Sequence, residues 1–214
     1  MIEGEPDDDT ARSLDAFALA DEVQAIARTG LHFSENPFDR ERYARLLEAA
    51  LREYDVRTNL ERSAIQERFE AEIGYVTAKV GADAAVFDDR DRILLAHRAD
   101  DEKWGLIAGW VDPNESPAET VVRELAEEAG LQARVDQLVG VFFRAAHAGE
   151  HPHGTVSIVY LCSITGGRPT PQLHEVSELA WRAIDDLRPD EWHHHHEQLA
   201  RAARDAHWRR RAGL

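Results

Sequence analysis

The chain has little of several features that define common protein classes. A single cysteine, Cys162, among 214 residues excludes an intramolecular disulfide framework and a zinc site built from cysteines. No run approaches the roughly 20 apolar residues that a membrane-spanning helix needs. The N-terminus is acidic and lacks the basic and then apolar layout of a signal peptide. We therefore expect a cytoplasmic protein with no membrane partner.

Lysine is almost missing, because Lys79 and Lys103 are the only two among 25 basic residues. With 41 acidic residues the formal net charge is -16, which repels a phosphate backbone and makes nucleic acid an unexpected partner. The excess of acid over lysine is typical of a protein kept soluble in concentrated salt, but a GC-rich genome produces the same composition. A hydrophobic content of 43% nevertheless predicts an ordinary folded protein.

The first third of the chain has helical periodicity over residues 13–29, 38–54 and 59–72, with Gly30 and Gly74 as stops. We predict a helical N-terminal domain over residues 1–72, which begins with an acidic disordered tail over 1–11. Packing or dimerisation is favoured over catalysis for this domain, so a homodimer is expected.

The sequence pattern over residues 73–214 indicates a second domain, in which several short strands are combined with few helices. This mixture predicts an α/β or α+β sandwich. Helices are predicted over 117–129 and 190–211, and a polar turn over 88–91. The predicted strands are 75–80, 84–87, 93–96, 134–145, 155–164 and 176–181.

The helix over 117–129 has clear signals at both ends. Ser116 is a good N-cap, Pro117 suits the first helical position, and Glu119 completes a capping box with Ser116. Gly130 supplies the left-handed stop.

Three carboxylates of this helix, Glu124, Glu127 and Glu128, share one face because they are three and four residues apart. Their mutual repulsion and their place near the negative end of the helix dipole both destabilise the helix. Arg123 cannot neutralise all three, whereas Mg²⁺ prefers oxygen ligands of this kind. A solvated charged face is the alternative, and the tight capping favours the metal.

This stretch resembles the Nudix box, Gly-x5-Glu-x7-Arg-Glu-(apolar)-x-Glu-Glu-x-Gly-(apolar), at every defined position. The preceding Trp104–Trp110 segment is similar to the family's entrance to the box, with Ile107 and Ala108 replacing the usual Pro and Gly. The matching residues are Gly109, Glu115, Arg123, Glu124, Leu125, Glu127, Glu128, Gly130 and Leu131.

The segments over 23–31 and 38–43 resemble the helical N-terminal domain of one Nudix group, which includes CDP-choline and ADP-ribose pyrophosphatases. The resemblance implies a Nudix-type α/β/α sandwich with a mixed sheet, preceded by a small helical domain. It also implies Mg²⁺-dependent hydrolysis of the pyrophosphate linkage in a nucleoside diphosphate derivative.

Roles for individual residues follow from this resemblance. Glu124, Glu127, Glu128 and the backbone carbonyl of Ala108 are expected to hold Mg²⁺, with Mn²⁺ as an alternative. Glu127 and Arg123 are expected to be catalytic, Arg123 by orienting the glutamates, while Glu115 braces the loop. The general base is expected to lie outside the box, and Glu175 is the first candidate and Glu178 the second. For both residues the interpretation as an exposed loop acid without a catalytic role is equally favoured.

Substrate contacts are less defined. Trp104 and Trp110 are candidates for stacking on a nucleobase, core packing being equally favoured for them and more favoured for Phe142 and Phe143. Arg98 and Arg144 are candidates for phosphate contacts. The remaining candidates are histidines: His147, His151 and His153 for substrate, and His193–His196, where adventitious transition-metal binding is favoured over a dedicated site.

Three other functions stay open. Removal of damaged nucleoside triphosphates is second to the leading hypothesis, and RNA-end processing is third because the chain is acidic. A non-catalytic nucleotide sensor is a different class, disfavoured because every carboxylate of the box is retained.

Overall fold

A computed structural model describes residues 16–58, 60–145 and 154–213. These residues belong to two compact units: the described residues up to Ala78, with Ala145 and Gly154, form the first, and Lys79–Arg144 with the described residues from Thr155 onward form the second. The tail predicted over 1–11 and the histidines His147, His151 and His153 lie outside the described residues. No helix of the described part combines the length and the apolar character that crossing a membrane requires.

The first unit contains helices α1 (Ala16–Phe33), α2 (Pro37–Arg57) and α3 (Arg62–Ala71). Phe17, Tyr54 and Phe69 pack ring against ring in its core. The buried Arg28 of α1 donates hydrogen bonds to the backbone carbonyl and the carboxylate of Glu72, and thereby ties the end of α3 to α1.

The predicted stop at Gly30 is wrong, because α1 continues to Phe33. A Cβ atom on Gly30 would overlap the Tyr43 ring of α2. Gly30 therefore allows two helices to approach closely instead of ending one of them.

The second unit contains a four-stranded sheet of order β4-β1-β6-β5 and a three-stranded sheet of order β3-β2-β7. The larger sheet is mixed, since β1 is parallel to β6 while β4 and β5 run antiparallel to their neighbours. The elements are β1 (Lys79–Val86), β2 (Ile93–Arg98), β3 (Trp104–Gly105), β4 (Ile107–Trp110), α4 (Pro117–Ala129), β5 (Leu131–Arg144), β6 (Thr155–Gly167), β7 (Val176–Arg182) and α5 (His196–Arg211).

Helices cover both faces of the larger sheet, as expected. Ala82 and Ala84 pack with Val121 and Leu125 of α4 in one core cluster. Ala85, on the other side of β1, belongs to a second cluster with residues of α5 such as Leu199. The alternation follows from the two-residue period of a strand.

Two strand predictions are wrong. The predicted strands over 75–80 and 84–87 are one strand, β1, which begins at Lys79 and pairs with β6 without a break. Gly81 and the alanines of this strand are weak local signals for β structure, but they suit a strand that is covered closely on both faces. The short strands β3 and β4 were not predicted.

The last helix begins at His196, not at residue 190. A 3₁₀ turn over Pro189–Glu191 and the buried Trp192 precede it, and His194 has a positive φ of 43°. Helical geometry cannot continue through these residues.

Strand β5 forms one edge of the larger sheet and is irregular. Its register against β6 shifts at three places, between Gln132 and Ala133, Val135 and Gln137, and Leu138 and Gly140. Each shift is a point where the ladder of hydrogen bonds is interrupted.

One buried carboxyl group interrupts the core beside α5. Asp83 of β1 is 2% exposed, hydrogen-bonds to Ser157, and lies 3.8 Å from Nε2 of His196. Burial raises the pKa of Asp83 to about 7, although Ser157 and Arg144 oppose the rise. The carboxyl group is therefore protonated in much of the acidic range.

Replacement of Asp83 by Asn is expected to change how stability depends on pH. Because the pKa of Asp83 is higher in the folded than in the unfolded chain, the wild type loses stability as pH rises from about 4 to about 7, by at most about 1.4 kcal/mol per pH unit. We expect urea unfolding in the presence of chelator to show that the free energy of unfolding of the variant rises relative to that of the wild type over this pH range. Above this range the difference between the two proteins should be constant. If the stability of the two proteins depends on pH in the same way, the raised pKa of Asp83 is contradicted.

Candidate active site

Helix α4 is fixed at both ends by the predicted residues. The Ser116 hydroxyl accepts a hydrogen bond from the Glu119 backbone N–H, and the Glu119 carboxylate accepts one from the Ser116 N–H at 2.9 Å. Gly130 has a φ of 66°, and its N–H bonds to carbonyls of the last helical turn. The capping box and the glycine stop are confirmed.

Two of the three clustered carboxylates point into the protein. Glu124 and Glu128 are buried, whereas the side chain of Glu127 is 59% exposed. Gly109 lies directly against Glu124, and a Cβ atom there would overlap the carboxylate. The Ala108 backbone N–H hydrogen-bonds to Glu128. Strand β4 therefore packs against these two acids through the backbone of Ala108 and Gly109.

Arg123 holds the acids of the site in place. Its guanidinium donates to both oxygens of Glu115 at 3.0 Å, to Glu124 at 2.7 Å and to Glu127 at 3.0 Å. Thr120 donates a further hydrogen bond to Glu115 at 2.8 Å. Arg123 and Thr120 hold the pKa of Glu115 down, to about 2. Glu115 is thus an ionised anchor for Arg123, which agrees with the expected bracing role.

The described cationic side chains compensate the two buried acids only in part, and ionisation of both acids is unfavourable. Burial raises the pKa of Glu128 to about 8, and the charges of Glu124 and Glu175 add to the rise. Burial also raises the pKa of Glu124 despite its bond to Arg123. No Arg or Lys side chain of the described residues hydrogen-bonds to Glu128. Crowded oxygen ligands short of a cation fit a divalent metal ion.

The loop after β6 brings another acid to the same place. Backbone N–H groups of Thr170 and Gln172 bond to the carbonyls of Ala129 and Glu128, which attaches the loop to the end of α4. Glu175 follows on this loop, is exposed, and is close enough to raise the pKa of Glu124 and Glu128. Glu178 is exposed on β7, opposite His97.

The two tryptophans differ in their surroundings. Trp104 is 6% exposed, packs in the core, and has the Arg182 guanidinium 4.7 Å from its ring centroid. Trp110 is 54% exposed and lies opposite Gly81 in the sheet. Burial argues against stacking of a base on Trp104, and leaves Trp110 as the candidate with an open ring.

The remaining predicted residues are partly engaged. Arg98 makes two hydrogen bonds to Asp100, at 2.9 and 2.7 Å, and Arg144 donates to the Thr155 hydroxyl at 3.2 Å. Phe142 packs against the core as expected, whereas Phe143 is exposed, so core packing was the wrong expectation for it.

Sequence reasoning missed the support that α5 gives to the site. His196, the first residue of α5, is buried, and its Nδ1 accepts the Leu106 backbone N–H at 3.0 Å. This bond holds the segment that leads into Gly109. The two residues are 90 positions apart, so no local pattern connects them.

Comparison with known proteins agrees with this geometry. The Nudix domain family matches residues 77–203. The family described as "UDP-X-like, N-terminal oligomerisation domain" matches residues 15–69.

One relative covers most of the chain and another covers about half of it. "Putative ADP-ribose pyrophosphatase YjhB" of Bacillus subtilis (strain 168) is 33% identical over 171 residues, which are 79% of this chain and 81% of that protein. A protein of the same organism, "Putative 8-oxo-dGTP diphosphatase", is 36% identical over 101 residues, 47% of this chain and 64% of its own length.

A solved structure extends the likeness across both units. The crystal structure of a UDP-X diphosphatase superposes with a TM-score of 0.52 at 25% identity, covering 88% of this chain and 93% of that one. The mixed sheet, the helices on both its faces and the preceding helical unit confirm the expected fold class. The chain therefore belongs to the Nudix family of hydrolases.

Proposed function

We propose that the protein is a Mg²⁺-dependent hydrolase of the pyrophosphate linkage in a nucleoside diphosphate derivative of the ADP-ribose or CDP-choline type. The observation that carries the proposal is the pair of buried acids, Glu124 and Glu128, which face the Ala108–Gly109 backbone. Of these two acids Arg123 pairs with Glu124 alone, and no Arg or Lys side chain of the described residues hydrogen-bonds to Glu128. The names of the ADP-ribose and UDP-X relatives support this substrate class over a nucleoside triphosphate.

Glu124, Glu127, Glu128 and the Ala108 carbonyl would hold the cation, and Mn²⁺ suits the same oxygen ligands. When bound, the cation supplies positive charge to the phosphate oxygens and lowers the pKa of water. Arg123 fixes the orientation of Glu124 and Glu127 through its bonds to both. Glu115 keeps Arg123 in this position.

Glu175 is the proposed general base. Its position on a loop attached to α4 keeps it near the buried acids while it remains open to water. A carboxylate placed in this way accepts the proton of the attacking water. Trp110 would stack on the base, and Arg98 and Arg144 would contact phosphates.

Hydrolysis by the wild type is expected for ADP-ribose, CDP-choline or UDP-glucose with Mg²⁺, giving a nucleoside monophosphate and a phosphorylated second product. Chromatography of the products after reaction in ¹⁸O water identifies the substrate and the bond that is cut. Release of pyrophosphate from triphosphates alone would favour the house-cleaning function instead. Tight nucleotide binding without products would favour the sensor.

Glu124→Gln and Glu128→Gln are each expected to lower kcat by on the order of 10²–10³-fold or more, because each removes one negative ligand from the cation. Circular dichroism should show a retained fold, since the substitution keeps size and removes like-charge repulsion. Glu67→Gln, an exposed position on α3, is the matched control and should retain activity. Wild-type turnover in either box variant would rule out its assignment as a ligand.

Gly109→Ala tests the close approach of β4 to α4. The added methyl group must displace Glu124, so Mn²⁺ affinity measured by electron paramagnetic resonance should fall. Gly81→Ala, on the neighbouring strand, meets ordinary contacts of 3.5 Å or more and should keep that affinity. Equal affinities in the two variants would contradict the described packing.

We also propose that residues 1–72 form a helical domain that joins two copies of the chain. The matched family is described as an oligomerisation domain. The described helices offer an apolar groove of about 490 Å³, which is lined by Ala25, Ile26, Thr29, Gly30, Phe33 and Tyr43. Apolar surface of this kind in a folded unit is typical of an interface.

Ile26→Glu is expected to convert a dimer into a monomer in light scattering, because it places a charge in the groove. Val56→Glu, an exposed position on α2 that does not line the groove, should leave the dimer intact. If both variants remain dimers, the groove is not the dimer interface.

A further inference from the structure

The run of four histidines before and at the start of α5 divides into two pairs with different surroundings. His196 is buried and accepts the Leu106 N–H, while His195 lies 3.3 Å from the Ser157 hydroxyl. These two contact Leu106, between β3 and β4, and Ser157 of β6. His193 and His194 belong to the segment before α5 and lie beside Asp101 of the turn between β2 and β3.

The side chains of Asp101, His193 and His194 already converge. One donor atom from each residue lies within 4.8 Å of the other two, and all three residues are half-buried. The His193 and His194 ring centroids are 4.0 Å apart, and His193 Nδ1 lies 2.6 Å from a carboxylate oxygen of Asp101. Ligands about 2.0–2.2 Å from one tetrahedral zinc-class ion lie about 3.3–3.6 Å apart. Binding would therefore open the 2.6 Å hydrogen bond between His193 and Asp101 and release its proton, and would draw the other donor atoms closer than their present limit of 4.8 Å.

The backbone holds this arrangement from two distant parts of the sequence. The His193 N–H bonds to the Trp104 carbonyl at 2.8 Å, and the buried Trp192 pairs with Trp104. The Lys103 N–H donates to Asp101 at 3.2 Å and fixes the other carboxylate oxygen.

Both segments contain a strained residue. His194 has a φ of 43° and Glu102 a φ of 57°, a left-handed conformation that side chains other than Asn, Asp and Gly rarely adopt. Such strain is of order 1 kcal/mol or more per residue and is typical of sites where it serves a purpose. At His194 it accompanies the close approach of two imidazole rings.

We propose that Asp101, His193 and His194 form a zinc-class metal site that is separate from the acids of α4 and joins the β2–β3 turn to the segment before α5. Two imidazoles and one carboxylate select Zn²⁺, Co²⁺ or Ni²⁺ over Mg²⁺, which prefers oxygen alone. Three protein ligands leave a fourth position for water.

The site lies next to residues of the proposed active site. The N–H of Ala99, two residues before Asp101, bonds to the carbonyl of Glu175 at 2.9 Å. The charge of Arg98 acts on both Glu128 and His193, so Arg98 lies near both groups. An ion bound at Asp101 would therefore stiffen the turn that contacts the Glu175 loop.

Cobalt titration of the full chain tests the site, because Co²⁺ with nitrogen ligands absorbs in the visible range whereas Mg²⁺ does not. The chain is first stripped with chelator and then kept in excess Mg²⁺. We expect one equivalent of Co²⁺ to produce a visible absorption band. Zn²⁺ should displace the Co²⁺, abolish this band and raise the Tm of the protein. His194→Asn should weaken Co²⁺ binding by more than about tenfold. Asn tolerates a positive φ, so the metal-free variant should keep a folded state with a cooperative melting transition.

Two further variants separate this site from other ligands of the chain. The triple variant His147→Ala, His151→Ala, His153→Ala removes histidines outside the proposed site and should keep the band. The double variant Glu124→Gln, Glu128→Gln removes the acids of α4 and should keep it too. The proposal is overturned by no band in the wild type, by an unchanged band and Zn²⁺ shift in His194→Asn, or by loss of the band in either of these variants.

Discussion

The crowding of two buried acids against the backbone of strand β4 is the constraint on which the second unit depends. Glu124 and Glu128 can be buried together only because Gly109 has no side chain and because Arg123 takes part of their charge. Such burial is unfavourable for folding alone, since desolvation opposes ionisation of both groups. The arrangement is understandable as a site built for a cation at the expense of stability.

Support for this constraint comes from α4 itself, from the loop after β6 and from α5. The capping box and Gly130 fix α4 at its ends, and the loop over 168–175 is bonded to its last carbonyls. From the opposite side, α5 holds the segment before Gly109 through His196. Residues far apart in sequence thus determine the position of two carboxylates.

The sequence predicted those features whose causes are local. The limits of α4 follow from Ser116, Pro117 and Gly130, and the two predicted limits agree with the structure. The continuity of β1 and the start of α5 depend on pairing with β6 and on the burial of Trp192, which have no local signal. The same holds within the site, where Arg123 was found from spacing while the contact of His196 with Leu106 was not.

The irregular edge strand β5 has a consequence for how copies of this chain meet. It exposes Leu138, Val141 and Phe143, a combination that invites strand addition by another molecule. Its three register shifts interrupt the flat row of backbone donors and acceptors that an incoming strand requires. The register shifts therefore disfavour aggregation through this edge strand, although its exposed apolar residues carry no charge that would oppose it.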